Sequence, residues 1–253
     1  MTNAKPDPWN FLKTHTAARI AQGRTGHSLP TAALLAFQLD HARARDAVYA
    51  TLDTARLLTE LRALTNTEPV AVQSLAPDRP TYLRRPDLGR QLDPESIAAL
   101  SELPPGPFPD LCIVLADGLS ATAVNEHGLA VVRGLVRESR RLGWVLAPVV
   151  LAEQGRVALG DAVAARLRAD MVVVLIGERP GLSSPDSLGA YLTFAPHPGL
   201  TDESRNCVSN IRPGGLPPAL AVQKIVYLLT EFKIRQLSGV SVKDEMGGFL
   251  PEH

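Results

Sequence analysis

The chain has 253 residues, of which 45% are hydrophobic and 21% are charged, and these proportions are typical of a globular protein with a substantial core. Its 26 basic and 26 acidic side chains give a formal net charge of zero, so no overall field attracts a nucleic acid or an anionic membrane. No apolar run reaches the roughly 20 residues of a transmembrane helix, and the N-terminal sequence lacks the apolar core of a secretory signal, so we expect a cytoplasmic protein.

The cysteine and histidine residues predict neither a disulfide framework nor a metal site. Cys112 and Cys207 are the two cysteines, which is too few for a disulfide scaffold. The six histidines are scattered, and no pair has the spacing of metal ligands. We therefore expect two reduced thiols and no metal ion held by protein ligands.

Residues 9–53 have a helical pattern. Pro30 and Thr31 mark the point where the main helix is predicted to begin. One face of this helix is apolar and the other is rich in hydrogen-bonding groups. The pattern alone leaves two interpretations open, since the apolar face can pack on its own domain or dock on a partner.

Residues 65–109 contain nine prolines, which disfavour long regular elements. We predict an irregular connector around a short helix near residues 95–103. This places the boundary between an N-terminal region, residues 1–105, and a C-terminal domain, residues 106–253.

The C-terminal region alternates between apolar strands and helices, as in an α/β fold. LCIVLA and MVVVLI are continuous apolar runs, typical of strands that are buried on both faces of a parallel sheet. Between them we predict a helix through about Leu142, a second strand at WVLAPVV and a helix over residues 161–168. AYLTF is a further candidate strand.

The last predicted helix begins at two prolines and ends at a glycine. Pro217 and Pro218 are suited to a helix start, and apolar residues follow at helical spacing. Gly239 is predicted to close this helix as a left-handed cap.

Two polar turns follow predicted buried strands, at the edge where open α/β sheets bind ligands. The first turn, Asp117-Gly118-Leu119-Ser120, lacks the glycine fingerprint of a dinucleotide site, the lysine of a P-loop and the second glycine of a nucleophile elbow. We interpret it as a turn in which Asp117 or Ser120 caps the next helix, with a minor ligand contact left open.

The second turn contains the strongest candidate for a binding residue. Glu178 directly follows MVVVLI, inside the sequence Gly-Glu-Arg-Pro-Gly. It can form a surface ion pair with Arg179, or it can direct its oxygens at a ligand, because the Pro–Gly turn fixes its orientation. Cys207 has polar neighbours, which favour a cavity wall, although a lone cysteine is usually a small buried hydrophobe.

Four motifs give the chain a specific resemblance to a known family. ADGLSATAV at 116–124, GRVALGD at 155–161, VLIGERPGLSSPDSLGAYLTF at 174–194 and SRNCVSNIRPGGLPPALA at 204–221 resemble the small (light) chain of ethanolamine ammonia-lyase. Residues 18–48 resemble the same family. The resemblance therefore reaches most of the chain, except for the proline-rich middle and the C-terminal tail.

The resemblance implies a subunit of an adenosylcobalamin-dependent lyase that converts ethanolamine to acetaldehyde and ammonia. In this family the large chain, a TIM barrel, carries the substrate pocket. The small chain has a helical N-terminal region and a Rossmann-like C-terminal domain, and it holds the cobalamin against the large chain. The resemblance thus implies a hetero-oligomer, no activity without the large chain and no catalytic residues in this chain.

The family's cobalamin contacts carry over to Val157, Glu178 and Cys207. Val157 suits the apolar face of a corrin ring, Glu178 can accept hydrogen bonds from the amides at its rim, and peptide groups around Cys207 offer donors and acceptors. Further candidates, chosen by neighbourhood alone, are Arg156, Arg179, Ser209 and Asn210. The chain lacks an Asp-x-His-x-x-Gly motif, so the cobalt is expected to keep the cofactor's own base.

Localisation and two other functions stay open at this point. Members of the family often enter a bacterial microcompartment, sometimes through an N-terminal extension, but here only a few residues precede Trp9. One alternative function is a stand-alone Rossmann-like nucleotide-binding enzyme with Asp117, Ser120 and Glu178 around its pocket. The other is a structural partner with no ligand of its own.

Overall fold

The computed structural model describes residues 7–104 and 106–246, which form a sheet of six strands, four of them parallel. The strands are β1 Val70–Gln73, β2 Leu111–Ala116, β3 Val150–Glu153, β4 Met171–Gly177, β5 Leu188–Phe194 and β6 Asn206–Ile211. Their order in the sheet is β1-β3-β2-β4-β5-β6, in which β5 and β6 are antiparallel to their neighbours.

Helices precede the first strand, connect the parallel strands and follow the last strand. The helices are α1 Thr31–Tyr49, α2 Thr54–Thr65, α3 Arg79–Arg84, α4 Pro94–Ser101, α5 Ala121–Ala123, α6 Leu129–Leu142, α7 Leu159–Leu167 and α8 Pro218–Arg235. A π-helical turn, Val124–Gly128, joins α5 to α6, and short 3-10 turns lie at Asn10–Thr14, Leu88–Arg90, Asp202–Ser204 and Gly239–Ser241.

The core has two parts, one on each face of the sheet. Leu111, Ile113 and Leu115 belong to the part that includes buried side chains of α2, α6 and α8. Cys112 and Val114, which alternate with them along β2, belong to the part formed with α4 and α7. Because both faces are covered, every residue of β2 is buried, which explains the unbroken apolar sequence.

The order of the strands reverses between β2 and β4. β3 lies on one side of β2 and β4 on the other, so the chain leaves the two strand ends in opposite directions and opens a crevice there. The backbones meet closely at this point. A Cβ atom on Gly177 would lie 2.0 Å from the carbonyl oxygen of Ser120, and one on Gly118, whose φ is +56°, would lie 2.3 Å from that of Gly177.

Several of the predicted elements are confirmed. β2 covers LCIVLA, β4 covers MVVVLI, α1 begins at Thr31 and α8 begins at Pro218. The helix predicted through about Leu142 ends there as α6, and the short helix near residues 95–103 is α4. AYLTF lies within β5, and the helix predicted over residues 161–168 is α7.

Two boundaries were predicted wrongly. The strand expected at WVLAPVV begins only at Val150, because Pro148 has no N–H to donate to a ladder. α8 is closed by Gln236 in the left-handed conformation, with φ +57°, and not by Gly239. Gly239 instead allows a close approach in the next turn, since a Cβ atom there would lie 2.1 Å from the carbonyl oxygen of Glu203.

The proline-rich middle of the chain is more regular than predicted. It contains β1 and α3 in addition to α4. β1 pairs in parallel with β3, so that Val70 lies opposite Val150 and Gln73 opposite Glu153. Residues of the N-terminal region therefore complete the sheet of the C-terminal region.

α1 makes little contact with the rest of the described chain. Ala47 is the one buried residue of this 19-residue helix, while Leu35 is 58% exposed and Leu39 is 51% exposed. The apolar side chains that the pattern assigned to a packing face thus lie at the surface. Within residues 7–104 and 106–246, no helix has the length and apolar content required to cross a membrane.

Candidate functional site

A cavity of about 220 Å³ lies in the crevice at the carboxyl ends of β2 and β4. We call it the strand-end cavity, and its walls include Tyr82, Val157, Glu178 and Tyr191. A neighbouring cavity of about 680 Å³ is bounded by residues 198–202 and shares three wall residues with the first. The shared residues are Arg156, Val157 and Tyr191.

Glu178 is held by Ser187, which directly precedes β5, and by Asn210 of β6, and not by the adjacent arginine. Its Oε2 accepts a hydrogen bond from the Ser187 hydroxyl at 2.5 Å and from the backbone N–H of Asn210 at 3.2 Å. Among the described residues it forms no ion pair with Arg179, and its Oε1 has no hydrogen-bond donor. One carboxylate oxygen is therefore fixed, and the other remains available to a ligand. The absence of a side chain on Gly189 makes room for this arrangement, because a Cβ atom there would lie 2.9 Å from Oε1.

Val157 is half-buried on the loop that leads from β3 into α7. The carboxylate of Asp117 fixes this loop, since it accepts hydrogen bonds from the N–H groups of Gln154 and Gly155, each at 3.0 Å. The end of β2 thereby sets the position of Val157 in the cavity wall.

Asp117 and Ser120 have different roles at the end of β2. Ser120 caps α5, because its Oγ accepts from the N–H of Ala123 at 3.3 Å, so the capping prediction is confirmed for Ser120. Asp117 is buried, and Arg79 lies 3.5 Å from it. Burial raises the pKa of Asp117 to about 6, while Arg79 and the backbone N–H groups act in the opposite direction.

Tyr82 is a wall residue that sequence reasoning missed. Its ring packs against two guanidinium groups, and the ring centroid lies 4.8 Å from the guanidinium carbon of Arg79 and 4.3 Å from that of Arg156. Its hydroxyl donates to the carbonyl of Gly155 at 3.1 Å, and burial raises the pKa of the phenol. A local signal was present, since Asp78 caps α3 and Pro80 lies in its first turn.

Cys207 lies outside the strand-end cavity, on the exposed edge strand β6. It is the strand partner of Tyr191, which does line that cavity. Loss of hydration at the sulfur raises the pKa of Cys207, although a hydrogen bond with the Tyr191 phenol opposes this effect. Burial likewise raises the pKa of Tyr191 to about 12. Both groups are therefore neutral near pH 7, which suits a contact surface better than a nucleophile.

The structure thus brings two of the three predicted contacts together. Val157 and Glu178 line the same cavity, and Cys207 adjoins it through Tyr191. Both cysteines are free thiols, as expected.

His127 and two carboxylates form a cluster next to the loop that follows Glu178. The Nε2 atom of His127 lies 3.0 Å from Asp186 and 3.8 Å from Glu126. The guanidinium of Arg212 lies 3.8 Å from the other oxygen of Asp186 and supplies a positive charge there. We interpret the cluster as a polar network in which Asp186 joins the π-helical turn through its hydrogen bond with His127 and pairs with Arg212.

Comparisons with known proteins show the family of this chain. The family model described as ethanolamine ammonia-lyase light chain (EutC) matches residues 6–243. A protein of Azotobacter vinelandii named ethanolamine ammonia-lyase small subunit is 53% identical over 96% of this chain and 90% of its own length. A protein of the same name from Pseudomonas syringae pv. tomato is 51% identical over 96% of this chain and 85% of its own length. Another, from Ralstonia nicotianae, is 52% identical over 94% of this chain and 88% of its own length. The chain therefore belongs to the ethanolamine ammonia-lyase light chain family.

Proposed function

We propose that this protein is the small subunit of ethanolamine ammonia-lyase and acts with a large chain to convert ethanolamine to acetaldehyde and ammonia. The observation that carries the proposal is the family match over residues 6–243, in which Val157 and Glu178 line one strand-end cavity. The family match does not favour a stand-alone nucleotide-binding enzyme.

The fold proposed for the cofactor site is Rossmann-like. The parallel strands β1 to β4 and the reversal between β2 and β4 support this assignment. We assign cobalamin binding to residues 106–253, and docking and connection to residues 1–105. In this division β1 is the strand that the N-terminal region contributes to the sheet.

The proposed cofactor is adenosylcobalamin, and the chemistry of the site fits it. A corrin ring has apolar faces and a rim of primary amides. Val157 offers apolar contact, and the unpaired Oε1 of Glu178 offers an acceptor for an amide N–H. The phenol of Tyr191 adds neutral surface to the cavity wall, and the thiol of Cys207 adds neutral surface beside the cavity. The walls of the strand-end cavity thus combine apolar surface with fixed polar groups, as small-molecule sites do.

When bound, adenosylcobalamin supplies radical chemistry through cleavage of its cobalt–carbon bond. The proposed work of this chain is to bind and orient the cofactor and to keep water away from it. Glu178 is oriented for this task by Ser187 and Asn210, and Val157 is oriented by the loop that Asp117 holds. We assign no catalytic residue to this chain.

The proposed partner is a large chain that, as the resemblance implies, is a TIM barrel with the substrate pocket. α1 supports such a partner, because a helix with one buried residue lacks the packing that normally stabilises helices in proteins. We propose that the exposed side chains around Leu35 and Leu39 dock on the large chain. The proposed location is the cytoplasm, where this chain can enter a microcompartment through its complex with the large chain.

A substitution at Glu178 tests the cofactor assignment. In the two-chain complex, we expect Glu178→Ala to weaken cobalamin retention more than it changes the KM for ethanolamine, because the substrate pocket belongs to the large chain. Cobalamin retention after gel filtration, read from its absorbance, gives the first quantity, and acetaldehyde formation gives the second.

Glu231→Ala is the matched control, since Glu231 lies on α8 and pairs with Arg235. It should change neither quantity. Normal cobalamin retention by Glu178→Ala, together with a raised KM for ethanolamine, would contradict the proposed role of Glu178.

A further inference from the structure

We propose that Arg156 binds the anionic phosphodiester of the cofactor's nucleotide loop. This inference rests on the proposed function, because it concerns the same cofactor. Arg156 lines both the strand-end cavity and its larger neighbour, so a ligand that occupies both cavities would contact its side chain.

The guanidinium of Arg156 is held in a fixed position. It stacks on the ring of Tyr82, with 4.3 Å between the guanidinium carbon and the ring centroid. Its backbone N–H donates to the carbonyl of Gly89 at 2.7 Å. Gly89 also packs against the side chain itself, since a Cβ atom at that position would lie 2.8 Å from Cγ of Arg156. Such a fixed guanidinium loses little freedom when a ligand binds.

The hydrogen-bond donors of Arg156 are not satisfied by the described residues. Nη2 makes one long bond, 3.5 Å, to the carbonyl of Tyr82, and Nε is buried with no acceptor. Among residues 7–104 and 106–246, no carboxylate lies within ion-pair distance of this guanidinium. The other inward-facing arginines differ, because Arg79 pairs with Asp117 and Arg205 pairs with Asp161. Arg156 is thus a partly buried cation that has no carboxylate partner among the described residues, so its guanidinium is free to bind an anionic ligand.

The chemistry of the ligand identifies that acceptor. A guanidinium binds phosphate and carboxylate oxygens best, through paired charge-assisted hydrogen bonds. The corrin rim carries neutral amides, and the phosphodiester of the nucleotide loop is the anionic group of cobalamin. Glu178, in the same cavity, repels an anion and accepts from amide N–H groups. The positive charge of Arg156 therefore favours contact with the phosphodiester, and the negative charge of Glu178 favours contact with the corrin amides.

Two probes separate the nucleotide loop, which carries the phosphodiester, from the corrin ring. Cyanocobalamin carries the nucleotide loop, whereas cobinamide has the same corrin ring and amides but lacks the loop and its base. The affinity of the two-chain complex for each probe is measured by equilibrium dialysis with absorbance detection. We expect Arg156→Gln to lower the affinity for cyanocobalamin on the order of 10- to 100-fold, as for loss of a charge-assisted hydrogen bond, and to leave that for cobinamide unchanged.

Arg166→Gln is the matched control, because it removes an exposed positive charge from α7 outside both cavities. It should leave both affinities unchanged. If Arg156→Gln does not fold, as judged by its melting curve, Arg156→Lys takes its place and is expected to weaken the binding of cyanocobalamin selectively, since lysine keeps the charge but not the paired donors.

Three results separate the possible failures. Equal loss of affinity for both probes, or loss for neither, would overturn the phosphodiester contact while leaving cobalamin binding intact. A wild-type complex that binds neither probe would overturn the proposed function itself, and this inference with it. Selective loss of cyanocobalamin binding supports both.

Discussion

Removal of Arg205 should destabilise the protein strongly. Its guanidinium donates to Asp161 at 2.7 Å, to the Thr193 hydroxyl at 3.2 Å and to the carbonyl of Leu200 at 3.1 Å. The side chains of the pair are 2% and 1% exposed, so Arg205→Met would leave the carboxylate of Asp161 buried and unpaired. Removing one partner of a buried ion pair costs about 3–5 kcal/mol, and we expect a loss of that size in the free energy of unfolding.

Urea denaturation of the purified protein at neutral pH measures this loss. The double variant Asp161→Leu with Arg205→Met is expected to regain most of the stability, because it leaves no buried charge without a partner. Arg235→Met, which removes a partly exposed pair with Glu231 on α8, is the control and should change the unfolding midpoint little. A small effect of Arg205→Met, similar to that of Arg235→Met, would refute the reasoning.

Three further predictions concern the strand ends and α1. Gly177→Ala should lower the free energy of unfolding by about 1–3 kcal/mol or more, because its Cβ atom would lie 2.0 Å from the carbonyl oxygen of Ser120. Gly106→Ala is the control, since a Cβ atom there would meet no other atom of the described residues within 4 Å, and urea denaturation compares the two variants. Burial raises the pKa of Asp117 from 3.8 to about 6, so the folded state binds a proton more tightly than the unfolded state does. The free energy of unfolding should therefore fall as the pH rises from about 4 to 6. Asp117→Asn should reduce this pH dependence, as measured by urea denaturation at a series of pH values. Leu35→Glu, at a side chain that is 58% exposed, should keep the melting temperature and weaken co-purification with the large chain; unchanged co-purification would contradict docking through α1.

The strands that are buried on both faces of the sheet were predictable, because such strands consist of consecutive apolar residues. β2 and β4 are unbroken apolar runs, and α8 begins at adjacent prolines. β1 was not predictable in this way, because four residues between prolines carry little pattern and its pairing with β3 is a long-range contact. The left-handed conformation of Gln236 was not predictable either, because glycine and not glutamine is the residue that favours it.

Parts of the candidate site followed from the sequence for a different reason. Glu178 was found because a polar turn after a buried strand lies at the ligand-binding edge of a sheet. Tyr82 was missed because its contact with Gly155 joins residues that are 73 positions apart. The free oxygen of Glu178 and the unpaired donors of Arg156 depend on three-dimensional neighbours, so they required the structure.

We propose above all that this chain completes a cobalamin-dependent ammonia-lyase. The most direct test measures acetaldehyde formation from ethanolamine by the large chain with adenosylcobalamin, with and without this purified protein, while the absorbance of the cobalamin is recorded. We predict activity and radical-state absorbance only when both chains are present. Full activity of the large chain alone, or a mixture that neither binds cobalamin nor forms acetaldehyde, would contradict the claim.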